Sequence, residues 1–229
     1  MDWRDRRMYY TIEIVELKES NHGYPESVKK LWLAENLDYD YKVEGVSYGT
    51  SCYKGDCDSD SSKLFGRYYT WGAAMDSAGV FSNDAVGCGE GTTCYASDKV
   101  QGVCPEGWHL PTLSEWRSLI KYVEEWIGGG EEIEKRENFW RYNNAGNLLS
   151  SRNWEGYEIT GVDTVGFSAV PAGWCGRPTS SATSFWSSTE LDGANAFFAE
   201  IGVGKTNSAA IYDWPKMGGG SLSIRCLKD

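Results

Sequence analysis

Histidine is almost missing from this chain, with two residues in 229, and no Cys-x-x-Cys pair occurs. A structural zinc centre draws on four Cys or His ligands at short, recurring spacings, so such a site is poorly supplied here. No Gly-x-Ser-x-Gly occurs either, which removes the strand–turn–helix elbow of one large hydrolase class. No apolar run approaches the roughly 18 residues that a membrane-spanning helix needs. Positive charge is scarce: Lys and Arg number 22 against 33 Asp and Glu, for a net charge of -11. The one dense basic stretch, Arg4, Arg6 and Arg7, sits beside Asp2 and Asp5. A nucleic-acid partner needs a basic face that displaces counterions, so none is expected. The opening Met1-Asp2-Trp3-Arg4 lacks the apolar stretch of an export signal, and the expectation is that such a signal was removed.

Ring and turn residues are plentiful instead. The chain holds 27 Gly, 11 Trp and 14 Tyr, with 41% hydrophobic residues. That mixture fits a loop-rich fold whose core is filled by rings and not by aliphatic helices. Seven cysteines, at 52, 57, 88, 94, 104, 175 and 226, argue for disulfides and an oxidising compartment over metal or redox chemistry. A length of 229 residues suits one large domain or two small ones and is enough to bury a sizeable core; a single domain over 1–229 is the expectation.

Along the chain, residues 8–15 read as a strand, and Leu31-Trp32-Leu33 as a second. Residues 43–66 are loop-like. Tyr68 to Ala78 has apolar residues at helical spacing before Gly79, which predicts a helix. The strongest local signal is Thr112-Leu113-Ser114-Glu115. The Thr112 side chain can accept the N–H three residues on while Glu115 reaches back, a capping box. Leu113, Trp116, Leu119, Ile120, Val123 and Ile127 follow at helical spacing, so that face should bury against a sheet until Gly128, Gly129 and Gly130 stop the helix. The charged stretch 131–138 reads as a solvated segment or short extra helix. From Gly166 onward, 166–171, 184–189, 195–201, 208–213 and 221–227 read as strands of an antiparallel meander. Strands at both ends with two helices between make the fold class α+β, with the terminal strands as neighbours.

Several stretches, in order and over nearly the whole chain, carry a resemblance. They are Trp32-Leu33-Ala34-Glu35-Asn36-Leu37; Gly66 to Trp71 running into Ala73 to Ala78; Val103-Cys104-Pro105-Glu106-Gly107-Trp108-His109-Leu110-Pro111-Thr112; Gly166-Phe167-Ser168-Ala169; Phe185-Trp186-Ser187-Ser188-Thr189-Glu190; and Ser223-Ile224-Arg225-Cys226. In these the chain resembles the Fibrobacter succinogenes major paralogous domain family. The resemblance implies a C-type-lectin-like fold related to formylglycine-generating-enzyme-like domains: two helices packed on twisted antiparallel sheets, loop-rich and disulfide-bonded. It also implies an exported or surface location, often as a lipoprotein. It pairs Cys226 with Cys104, the cysteine before the Leu-Pro-Thr turn. The remaining expectation is Cys52 with Cys57 and Cys88 with Cys94, leaving Cys175 unpaired. The chain departs from the family pattern at 16–30, 131–142 and 202–220.

Candidate chemistry is sparse. An oxidase of the formylglycine-generating type needs a reactive cysteine pair near the C-terminal end, where Cys226 stands alone. His22 lies in a turn-rich stretch, and His109, between Trp108 and Leu110, reads as a packed structural residue. Asp56, Asp58 and Asp60 form a D-x-D-x-D run able to offer hard oxygens to calcium, but no Gly stands at the sixth position and Arg67 occupies the twelfth. A solvated acidic loop is the favoured reading of that run, and no cofactor is expected. Trp32, Trp71, Trp108, Trp116 and Trp186 match the resemblance and are expected in the core. The rings expected in later loops or at strand ends are Trp140, Tyr142, Trp154, Tyr157, Trp174, Tyr212 and Trp214. Of these, Trp140, Tyr142, Trp174, Tyr212 and Trp214, with Arg177 and Asp213, form the candidate ligand-binding set, since rings can stack on sugars while Arg and Asp orient them. The expected function is a non-catalytic extracellular or cell-surface binding module for polysaccharide, above all plant-cell-wall glycan, or for a surface protein. A structural assembly domain of an outer-surface complex ranks second, and an enzyme of oxidase or hydrolase type third.

Overall fold

The computed structural model describes residues 1–18, 26–94, 96–128, 132–151, 161–173, 182–202, 207–217 and 220–229. In chain order the main elements are β1 (Thr11–Lys18), β2 (Glu26–Leu33), α1 (Asp60–Phe65), α2 (Trp71–Ala74), β3 (Trp108–His109), α3 (Leu113–Tyr122), β4 (Glu132–Arg136), β5 (Phe139–Tyr142), α4 (Ala145–Leu149), β6 (Ala182–Glu190), β7 (Asn195–Gly202), β8 (Ala209–Pro215) and β9 (Leu227–Lys228). The fold is α+β with few helices and several antiparallel sheets. One sheet has four strands in the order β1-β2-β9-β3, and the other has five in the order β6-β7-β8-β5-β4. Residues 42–43 with 46–47, and 50–51 with 68–69, add two short ladders.

The two ends of the chain thus share a sheet but not an edge. β2 lies between β1 and β9, with Leu227 opposite Trp32 on one side and His109 on the other. The expectation that the terminal strands are direct neighbours is corrected to this extent. The reason is the antiparallel hairpin of β1 and β2, which runs in register from Thr11 opposite Leu33 to Lys18 opposite Glu26 and places β2 inside.

Period-2 alternation explains why the five-stranded sheet carries a core on each face. On one face Phe185, Phe197, Ala199, Ile201, Ala209 and Ile211 pack with Trp32, Trp116, Leu119, Ile120 and Phe167. Trp116 stacks on Phe185 at 5.5 Å and lies 5.0 Å from Trp32. On the other face Trp186, Ala196 and Phe198 pack with Trp71, Met75, Leu222 and the Cys104–Cys226 bridge. Two buried indoles of this face find acceptors: Trp71 donates to the Ser187 carbonyl at 2.9 Å, and Trp186 to that of Tyr69 at 2.8 Å. Without these bonds both indole N–H groups would be stranded in an apolar interior.

α3 begins as the capping box requires. The Thr112 hydroxyl accepts the Glu115 N–H at 3.2 Å, and the Glu115 carboxylate accepts the Thr112 N–H at 3.0 Å. Trp116, Leu119 and Ile120 on its inner face are fully buried. The helix passes into a π turn over Val123–Ile127 before Gly128.

Four local expectations are corrected. The helix read over 68–78 is only four residues long, Trp71–Ala74, preceded by the two-residue strand Tyr68–Tyr69. Asp76 stops it: the residue adopts a positive φ of 59°, and its carboxylate accepts the N–H groups of Val80, Phe81 and Ser82, turning the chain away. The charged stretch near 131–138 is not a helix but the edge strand β4, paired with β5. Charges along an edge strand discourage pairing with other chains. Residues 166–171 form no strand and contribute only the Ser150–Ala169 bridge. Residues 43–66, read as loop, hold α1 as well as one short hairpin.

Three disulfides join Cys52 to Cys57, Cys88 to Cys94 and Cys104 to Cys226, as expected. Cys175 lies outside the described residues. No described helix is long and apolar enough to cross a membrane.

Candidate functional site

The site grows out of the alternation along β6, β7 and β8. Register places Ser184 opposite Glu200, Trp186 opposite Phe198, Phe198 opposite Tyr212, and Ala196 opposite Trp214. Directly paired residues share a face, so Ser184, Phe198, Glu200, Tyr212 and Trp214 all project to the side away from α3. Toward Ala196 and Trp186 the core built on Trp71, Met75 and Leu222 covers this face. Past Phe198 the cover ends, and Ser184, Phe198, Glu200, Tyr212, Trp214 and Leu222 line a cleft of about 180 Å3.

Rings form one wall. The Phe198 and Tyr212 centroids are 4.2 Å apart with planes at 63°, and Phe198 meets Trp214 edge-on at 6.3 Å. Phe198 is buried, whereas Tyr212 and Trp214 are half-buried and keep surface toward the cleft. Gly220 makes room for the indole. A Cβ on that residue would come within 3.0 Å of the Trp214 Nε1 and 3.2 Å of the Pro215 carbonyl.

Glu200 supplies the polar end. Its Oε2 accepts the Tyr212 hydroxyl at 2.9 Å. Burial pushes the Glu200 carboxyl above its usual range, against the opposing pull of the Tyr212 hydrogen bond and the Arg141 charge. Burial likewise raises the Tyr212 phenol, and the Glu200 charge raises it further. The cleft therefore presents ring surface beside a carboxylate that retains acceptor capacity, because an ionised carboxylate has about four lone-pair sites.

The expected ligand-binding set divides. Tyr212 and Trp214 reach the cleft. Trp140 and Tyr142 do not: β5 pairs Trp140 with Ile211 and Tyr142 with Ala209, which points both into the core on the α3 side. Tyr142 is 1% exposed, and Trp140 is half-buried between Phe197 and the Arg117 guanidinium 4.5 Å from its ring. These two, read as loop or strand-end rings, are strand residues of the core side. Asp213 stands opposite Phe197 on that same side. Trp174 and Arg177, like His22, Trp154 and Tyr157, lie outside the described residues.

Glu200, Ser184, Phe198 and Leu222 were not among the expected site residues. A signal for Glu200 was present. It is the one charged residue inside Ala196-Phe197-Phe198-Ala199-Glu200-Ile201, and it sits two positions from Phe198, hence on the same face.

The other groups weighed for chemistry are structural. His109 is 2% exposed, with Nδ1 2.8 Å from Asp229 Oδ1 and Nε2 3.1 Å from Glu115 Oε2. Carboxylates on both ring nitrogens make it a clamp joining β3, β9 and the start of α3. Burial works against the charge of Glu115, but His109, the Thr112 N–H and Lys30 outweigh it and hold that carboxyl well below its usual range. Asp56, Asp58 and Asp60 are all exposed. Asp56 turns inward on its own loop to accept the Asp58 N–H at 3.1 Å, and Asp60 opens α1. Among the described residues no group of three or more His, Cys, Asp or Glu is placed to hold a metal ion.

The model of the Fibrobacter succinogenes major domain family matches residues 28–228. No curated protein and no solved structure matches the chain.

Proposed function

This chain belongs to the Fibrobacter succinogenes major domain family, and from that premise we propose that it is an exported, non-catalytic binding module for plant-cell-wall glycan. The observation that carries the reading is the cleft in which Tyr212 and Trp214 stand beside Glu200. A pyranose ring has an apolar face of C–H groups and a rim of hydroxyls. The Trp214 and Tyr212 rings suit the first, and the carboxylate of Glu200 accepts hydrogen bonds from the second. Glycan sites of this sort are typically shallow, so affinity should fall between about micromolar and millimolar. Three disulfides support an oxidising, extracellular or cell-surface location. The C-type-lectin-like architecture implied by the sequence resemblance is part of this proposal, with the late-strand face as the variable surface on a fixed scaffold.

A second reading, a docking domain within an outer-surface assembly, draws on the N-terminal arm. There Trp3, Met8 and Tyr10 are 66%, 76% and 77% exposed. Pull-down on insoluble cellulose and xylan, followed by a glycan array, separates the two. The wild type should be retained on at least one polysaccharide. Trp214→Ala should be lost from it while remaining folded, with a cooperative unfolding transition. Equal retention of the two proteins would place the site elsewhere. Co-purification of a protein partner with no glycan retention would replace the glycan reading by the assembly one.

A further inference from the structure

A second cleft, of about 310 Å3, opens between the N-terminal arm, α1 and the 168–170 segment, and shares no lining residue with the aromatic one. Its lining carries three cations, Arg7, Lys63 and Arg225, against one carboxylate, Glu35, in a chain of net charge -11.

The three cations differ in how far they are neutralised. Arg225 is fully buried. Its Nε donates to Asn36 Oδ1 at 2.7 Å, its Nη1 to the carbonyls of Leu33 and Phe167 at 3.1 and 2.5 Å, and its Nη2 to that of Ser168 at 2.9 Å. Every acceptor is a neutral oxygen. Glu35 and Asp163 act on it only through longer-range attraction, and burial pulls the guanidinium down to about 9, still charged at neutral pH. A cation held this way has lost its water without gaining an opposite charge, which is the costly half of a buried ion pair. Arg7 shares its charge with Asp38 and donates to the Lys63 carbonyl at 3.4 Å. The Lys63 ammonium, exposed on α1, makes no ion pair among the described residues. Glu35 has one oxygen engaged by the Tyr10 N–H at 3.1 Å.

We propose that this cleft binds the carboxylate of a uronic-acid unit. Lys63 and Arg7 meet the anion at the rim, and the uncompensated charge of Arg225 attracts it from beneath the floor. Arg is suited to carboxylates by its planar fork of donors. The remainder of the lining fits a hydroxylated body better than a bare inorganic ion: the Ser168 hydroxyl, which donates to Asp163, can still accept, and Tyr10 offers an exposed ring. This site stands independently of the aromatic cleft.

Titration calorimetry with trigalacturonate at low ionic strength tests it. The wild type should bind, and added salt should weaken binding because the rim is solvent-exposed. Lys63→Glu should lose at least about tenfold in affinity, or about 1.4 kcal/mol. Lys63→Arg should retain affinity, and Trp214→Ala should bind as the wild type does. Absence of binding by the folded wild type overturns the proposal, as does equal binding by Lys63→Glu or equal binding of neutral galactotriose. Loss of trigalacturonate binding in Trp214→Ala would assign the acid to the aromatic cleft and overturn it too. Capture of neutral xylan or cellulose, sensitive to Trp214 and not to Lys63, tests the function proposed above separately.

Discussion

The two faces of the β6–β7–β8 sheet are built from the same alternating strands and end differently. On the face toward α3, Phe185, Phe197, Ala199, Ile201 and Ile211 are all 5% exposed or less. On the opposite face Trp186, Ala196 and Phe198 reach the same burial, but Glu200, Tyr212 and Trp214 stay half-buried beside a cleft. The difference does not lie in hydrophobicity, since Tyr212 and Trp214 are as ring-rich as anything in the core. It lies in what is packed above. α3 and α4 lie along the first face, whereas on the second the 71–104 region and Leu222 cover only one end. A strand therefore commits a residue to a face, and the neighbouring layer decides whether that face becomes core or surface.

The largest expected effect is on the covalent anchor of the partly covered face. Replacing both Cys104 and Cys226 by Ser opens a link of sequence separation 122. It should cost about 4–5 kcal/mol, from the loop-closure entropy returned to the unfolded chain. A denaturant midpoint unchanged under non-reducing conditions would show that packing alone holds that side. Next, Phe185→Ala on the covered face should cost about 3–5 kcal/mol, because its stacked partner Trp116 cannot follow into the gap. Trp214→Ala on the open face should cost about 1 kcal/mol. Equal losses from these two variants would erase the distinction between the faces.

Smaller in effect, Thr112→Ala should cost about 1 kcal/mol by removing the cap of α3, read from the same denaturation curves. The last expectation concerns pH. Glu200 has its folded pKa raised above the ordinary 4.5, so its contribution to stability is present below that value and is lost as pH rises through the folded value. Glu115 has its folded pKa lowered, so its contribution is present above 4.5 and is lost as pH falls toward the folded value. Glu200→Gln should thus gain on the wild type as pH climbs from 4.5 toward neutrality, whereas Glu115→Gln should lose ground as pH climbs toward 4.5 and keep a constant deficit above it. Thermal melts at a series of pH values with parallel curves for all three proteins would refute both assignments.

Much of this was legible along the chain because it depends on near neighbours. The Thr112–Glu115 box spans one helical turn, and the burial of Trp116, Leu119 and Ile120 follows from 3.6-residue spacing. β6, β7 and β8 announced themselves by alternation and by the turn residues between them. Less was legible where side chains compete with propensity. Asp76 ends α2 by capturing three N–H groups of the following loop, which no count of apolar residues foresees. The charged 132–136 stretch becomes a strand only because β5 offers it an edge.

The aromatic site shows the division most clearly. Which residues are rings, that Tyr212 and Trp214 share a face two positions apart, and that Glu200 follows Phe198 on its own face are all properties of sequence and of the two-residue repeat of a strand. That Tyr212 meets Glu200 across the β7–β8 pair, while Trp140 and Tyr142 turn into the opposite core, was settled by register and by the β5–β8 pairing. A shift of one residue in either pairing would exchange the faces, and register is a long-range choice made by whole layers packing together.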